Sequence, residues 1–241
     1  MKTVLITGAT SGIGKQLALD YAKNGWSVIA CGRNKKVLAE LEQVGNVSTS
    51  AFDISIPSEI HEASKKLNQA LDLMILNAGT CEYMDDVKHF DTDMFRRVVN
   101  SNVLGTSDCL SAFLPKVKDG GQLALMGSSA SFFPFTRSQA YGASKAAIAY
   151  LAETMAVDLA PHNIAVSLIS PGFVETALTD KNDFDMPMKI TVEQASTEII
   201  KGLNKRKLHV KTPRLFTFIL GLISRLPMSF KHWLSLRMVK S

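Results

Sequence analysis

Lys2-Thr-Val-Leu-Ile-Thr7-Gly8-Ala-Thr-Ser-Gly12-Ile-Gly14 opens the chain and decides its fold. Residues 2–7 predict a short apolar strand. A glycine turn follows, then a helical pattern in which Ile13, Leu17 and Tyr21 share one face. Asn24-Gly25 supplies the helix stop. Strand, glycine turn and helix in this order are the start of a βαβ unit. The glycines permit a tight turn and let the backbone approach a pyrophosphate. The helix N-terminus then favours the negative charge.

The alternation continues outward. Strands are expected near residues 2–7, 26–31, 47–53, 71–76, 121–127, 164–169 and 207–210, with helices between them. That order predicts an α/β chain: a doubly wound, mostly parallel seven-stranded sheet with helices on both faces. The 241 residues suffice for one large domain, and a hydrophobic fraction of 46% fits a packed core. The expected division is a domain over residues 1–212 and a basic, apolar helical tail over 213–241.

Several separated motifs lie along this frame. They are Thr7-Gly8-x-x-x-Gly12-x-Gly14, Asp53 after the third strand, Asn77-Ala78-Gly79, Asn102 in Asn-Val-Leu-Gly, Ser128, Tyr141, Lys145 and Pro171-Gly172. In this order and spacing the chain resembles the short-chain dehydrogenase/reductase family over roughly residues 2–210. The resemblance implies a Rossmann-type fold and an oxidoreductase that interconverts a carbonyl and a secondary alcohol with a nicotinamide dinucleotide. It implies cofactor contacts at Gly8, Thr10, Ser11, Gly12, Ile13, Gly14, Asp53, Ile54, Asn77, Ala78 and Gly79. In the loop after the sixth strand it implies contacts at Pro171, Gly172, Val174 and Thr176. Asp53 has a second reading as a cap of the helix near Pro57.

Tyr141 and Lys145 stand at i and i+4, so a helix over 138–160 puts them on one face. An ammonium there is expected to pull the phenol pKa from about 10 toward working pH, making a usable proton donor or acceptor. The resemblance makes Tyr141 the general acid/base and has Lys145 also bind the nicotinamide ribose. It gives Ser128 the substrate oxygen and Asn102 a water in a proton relay. Apolar residues Phe132, Phe133, Phe135, Tyr83, Phe184 and the methionines of the 177–190 loop suggest a lipophilic substrate.

The end of the second strand carries Gly32-Arg33 where an acidic residue would bind the ribose 2′-hydroxyl of NAD. Arginine forks well onto phosphate, so NADP(H) is expected over NAD(H). Cys31, Cys81 and Cys109 have neither metal-like nor redox spacing and read as reduced thiols of a cytoplasmic protein. No metal is expected. A strand starting at residue 2 leaves no room for a signal peptide.

Residues 199–241 hold ten Lys and Arg and no acidic residue, so residues 1–198 carry 17 basic against 22 acidic side chains. The basicity belongs to the tail, and no nucleic-acid motif accompanies it. Its uncharged run of 10 residues between Arg214 and Arg225 is too short for a membrane span. It suits either a helix on an anionic membrane surface or packing on the protein itself. The resemblance further implies a homodimer or homotetramer paired through the helices near 92–117 and 138–160. Val98, Leu104, Leu110 and Phe113 of the first and Ala147, Tyr150, Leu151 and Met155 of the second are its apolar candidates. A dinucleotide-sensing binding protein with a docking tail is the alternative to an enzyme.

Overall fold

β1 (Thr3–Thr7) is buried along its whole length because it is an inner strand of a sheet with helices on both faces. A computed structural model describes residues 1–179 and 186–237. The strands that follow are β2 (Ser27–Gly32), β3 (Val47–Ala51), β4 (Leu71–Leu76), β5 (Val117–Met126), β6 (Ala165–Pro171) and β7 (His209–Thr212). The helices are α1 (Gly12–Lys23), α2 (Lys35–Glu42), α3 (Pro57–Lys66), α4 (Thr92–Val99), α5 (Gly105–Phe113), α6 (Gln139–Asp158), α7 (Val192–Asn204), α8 (Arg214–Ile223) and α9 (Met228–Leu236). The sheet runs β3-β2-β1-β4-β5-β6-β7 with each neighbouring pair parallel. The winding direction reverses between β1 and β4. A crevice opens there at the carboxyl ends of the strands.

Alternation along β1 divides the core. Val4 and Ile6 pack with Leu17 and Tyr21 of α1 and with Ile199 and Leu203 of α7. Leu5 points to the other face, among Ile60 of α3, Phe113 of α5 and Ile148 of α6. Burying each such side chain contributes roughly 1.5–3 kcal/mol, which is why the central strands read as mainly apolar runs.

β3 ends at Ala51 rather than 53 and β7 runs His209–Thr212 rather than 207–210, and two larger shifts have a local cause. β5 starts at Val117 rather than 121, because its pairing with β4 is irregular between Leu71 and Leu73. The polar Lys118-Asp119-Gly120 that spans this irregularity has no strand pattern. The helix expected over 92–117 is interrupted by a π-helical turn at Asn100–Leu104. Gly105 follows it, where a Cβ would collide with the Ile54 carbonyl. Val98, Leu110 and Phe113 are buried in this chain's own core and do not face a partner.

The tail packs in part. Phe216, Thr217 and Leu220 of α8 are buried, whereas α9 has no buried residue. Among the described residues no helix is long and apolar enough to cross a membrane.

Candidate active site

Gly8 and Gly12 adopt φ of 66° and 50°, in the left-handed region where other residues are strained. Closeness matters as much. A Cβ on Gly14 would collide with the Gly8 carbonyl, so α1 could not start so near the turn. The turn is stitched to the end of β4. Thr7 Oγ1 accepts from the backbone N–H groups of Asn77 and Ala78 at 3.0 and 3.1 Å. Asn77 Nδ2 donates to the carbonyls of Thr7 and Gly8 at 3.0 and 3.3 Å. Ser11 sits at the N-cap of α1 without a side-chain capping bond, and the first turn holds no acidic residue. The N–H groups of that turn are therefore directed at the crevice, a cradle suited to an anion.

At the other end of the cleft lie Ser128, Tyr141 and Lys145. Ser128 follows β5 directly and its Oγ accepts from the Ala130 N–H at 3.1 Å. The Ser128 hydroxyl also lies beside the Tyr141 phenol, where it favours the ionised form. Lys145 is buried and donates to the Met126 carbonyl at 2.8 Å, with Nζ 5.7 Å from the Tyr141 ring centre. The i,i+4 spacing thus brings the pair onto one face as expected. The expected pKa effect is not what this geometry gives. Burial raises Tyr141 to about 12, and the neighbouring Ser128 hydroxyl offsets only part of it. Burial also lowers Lys145 to about 8. The ammonium lies near the ring and is bonded to a carbonyl, so desolvation outweighs its attraction for the phenolate.

Asn102 lies in the π-helical turn and is 1% exposed. Its Oδ1 accepts from the Thr80 N–H at 2.7 Å, and its Nδ2 donates to the Thr80 carbonyl and to Ser144 Oγ, both at 2.9 Å. Ser144 Oγ in turn donates to the Tyr141 carbonyl at 2.7 Å. The amide therefore ties the loop after β4 to the helix that carries Tyr141. A water relay would have to use groups other than these committed ones.

The glycine turn, Asn77, Ala78, Ser128, Tyr141 and Lys145 line one cleft of about 660 Å³, whereas Asn102 and Ser144 lie behind it. It also takes in Thr10, Ser11, Ile13, Arg33, Asp53, Ile54, Gly79, Pro171, Gly172, Val174 and Thr176. A family model described as short chain dehydrogenase matches residues 2–186. An uncharacterized oxidoreductase of Myxococcus xanthus is 32% identical over 222 residues, covering 88% of this chain and 87% of its own. A 3beta-hydroxysteroid dehydrogenase of Mediterraneibacter gnavus is 31% identical over 205 residues, covering 78% of this chain and 72% of its own. The solved closed form of serine dehydrogenase complexed with NADP+ superposes with a TM-score of 0.79 at 25% identity, covering 86% of this chain and 93% of that one. The chain belongs to the short-chain dehydrogenase/reductase family.

Membership of this family supports a nicotinamide dinucleotide as cofactor, and the glycine turn gives the cleft an uncapped helix start suited to an anion. Where the ribose end would lie, Arg33 Nη1 pairs with Asp53 Oδ2 at 3.2 Å, and Arg33 remains 75% exposed. Burial pushes Asp53 up, but the Ser55 backbone and hydroxyl bonds and then Arg33 outweigh it and hold the carboxyl below its usual value. Asp53 does not cap α3, whose N-cap position is Ile56.

The aromatic expectation is corrected. Phe132, Phe133 and Phe135 pack with Phe173 and Phe216 beneath the tail and do not line the cleft. Tyr83 stacks with Arg137, 5.4 Å from its ring centre. Phe184 lies outside the described residues. The cleft instead gains groups that no motif announced. Glu82 and Arg97 form a two-point ion pair at its edge, 2.8 and 3.3 Å. Thr179 Oγ1 accepts from the Thr176 N–H at 3.0 Å and donates to the Val174 carbonyl at 2.6 Å, folding the loop beyond β6. Among the described residues no cluster of three or more His, Cys, Asp or Glu could hold a metal ion.

Proposed function

We propose that this short-chain dehydrogenase/reductase interconverts a lipophilic carbonyl compound and its secondary alcohol with NADP(H). The observation that carries the reading is the convergence of Ser128, Tyr141 and a buried Lys145 in the same cleft as the uncapped start of α1. When bound, the nicotinamide supplies or takes up the hydride. The protein handles the proton. In reduction Tyr141 Oη gives its proton to the substrate oxygen, while the Ser128 hydroxyl turns from Tyr141 to donate to that same oxygen. The Lys145 ammonium stands by the resulting phenolate. In oxidation Tyr141 takes the proton from the alcohol.

Arg33 supports the choice of NADP(H). It lies at the cleft edge, after a strand end with no carboxylate, and its exposed face is open to a 2′-phosphate. The hydroxysteroid dehydrogenase relative supports a lipophilic substrate. A homodimer or homotetramer is part of the reading. Leu104 before α5 and Tyr150 and Val157 on α6 remain exposed, 53, 71 and 72%, as apolar candidates for its contact.

The test follows absorbance of NADPH and of NADH with a panel of lipophilic ketones and aldehydes. Expected is NADPH-selective turnover that falls about 10²–10⁴-fold in Tyr141→Phe while NADPH binding persists. Equal use of NADH would refute the cofactor choice. Undiminished turnover in Tyr141→Phe would refute the mechanism.

A further inference from the structure

α8 is apolar on nearly every side, the mark of a helix buried all round. Only one side of it is buried here. Phe216 and Leu220 enter the aromatic cluster with Phe133. At about 100° per residue, Leu215, Phe218 and Leu222 fall on the opposite side. They are exposed, 61, 60 and 48%. α9 adds exposed apolar residues of its own, Phe230, Trp233 and Leu236, 45, 46 and 55% exposed. Phe230 and Trp233 lie ring to ring at 5.4 Å, and the Arg237 guanidinium sits 3.9 Å from the Trp233 ring centre. An indole paired with a cation is the arrangement favoured at the level of lipid headgroups.

Charge decides what covers this face. Arg214 and Arg225 bracket α8, Lys231 and Arg237 lie on α9 and beside it, and residues 199–241 contain no Asp or Glu. A second copy of the tail would set like charges against one another. An anionic surface complements them, and it repels the body of the chain, which carries 17 basic and 22 acidic residues. α8 is only 10 residues long and so lies along a bilayer rather than across it.

We infer that α8 and α9 form a peripheral docking surface for an anionic lipid bilayer. The buried side of α8 rests on the loops after β5 and β6, with Phe216 and Phe173 ring centres 5.3 Å apart. Docking therefore sets the bilayer about one helix diameter, roughly 10 Å, from loops that carry Ser128 and Gly172. This inference does not depend on the reductase reading.

The test is sedimentation of the full chain with phosphatidylcholine vesicles, with and without phosphatidylglycerol, beside a light-scattering measurement of oligomeric state. Expected is binding at least tenfold stronger to the phosphatidylglycerol vesicles. Phe218→Ser with Leu222→Ser should weaken it at least tenfold. Arg225→Gln and Lys231→Gln should each weaken it about fivefold, on anionic vesicles alone. Retained NADPH binding checks that the variants are folded. Absence of vesicle binding in the parent chain overturns the inference, as does binding indifferent to Phe218→Ser with Leu222→Ser. A variant that dissociates an oligomer and leaves vesicle binding unchanged assigns the face to a second copy and also overturns it.

Discussion

Replacing Asn102 by Ala tests the frame that holds the proton-transfer residues. The amide makes three hydrogen bonds, two to Thr80 and one to Ser144, and is 1% exposed. Ala removes all three. Thr80 is half-buried, so water reaches its freed N–H and C=O in part, and each costs about 1 kcal/mol, the low end for an unsatisfied group. Ser144 keeps its bond to the Tyr141 carbonyl, so its loss is smaller. The cavity adds about 1 kcal/mol, for a total of about 3 kcal/mol. For a chain of this size that lowers Tm by about 6–12 °C in scanning calorimetry. Turnover should fall further than NADPH binding, because the loosened contact is with the helix that carries Tyr141. A loss below about 1 kcal/mol, with turnover unchanged, would refute the idea that this amide fastens the loop after β4 to α6.

Two more perturbations follow from the charges. Arg33→Ala should raise the Kd for NADPH about tenfold, equal to about 1.4 kcal/mol, and move that for NADH by less than about twofold; a parallel shift in both by fluorescence titration would assign Arg33 a purely structural role. Burial lowers Lys145 to about 8 from 10.5, so between those values the unfolded chain binds more protons than the folded one and stability gains with rising pH. Burial of Tyr141, raised from 10.0 to about 12, reverses the trend above its unfolded value. Lys145→Met should thus remove a rise in urea midpoint between about pH 8 and 10, and a midpoint profile parallel to the parent's would count against the buried ammonium.

The local parts of the fold were readable because local signals carried them. Glycine spacing marked the turn at Gly8–Gly14, and mainly apolar runs marked β1, β4 and β6, whose apolar residues are buried on both faces. The glycine turn, Asn77, Ser128, Tyr141 and Lys145 of the cleft came with the motifs. Long-range contacts left no such trace. Nothing near Asn102 announces Thr80 or Ser144, which reach it from segments 22 and 42 residues away. Glu82 and Arg97 meet across 15 residues as an ordinary exposed pair. Phe132, Phe133 and Phe135 were apolar residues next to a catalytic motif, and only the position of α8 assigns them to a core beneath the tail. Spacing put Lys145 on the face of Tyr141, but burial set the direction in which both titrate.

The ion pair between Arg33 and Asp53 has a consequence for engineering. Ser55 donates to Asp53 Oδ1 through its N–H at 2.8 Å and its hydroxyl at 2.7 Å, while Arg33 takes Oδ2. The charge at this edge of the cleft is therefore set jointly by the ends of two neighbouring strands. A library that varies only Gly32 and Arg33 explores half of that determinant. Substitutions at Ser55, a residue with no charge of its own, retune the other half by changing how tightly Asp53 keeps hold of the guanidinium.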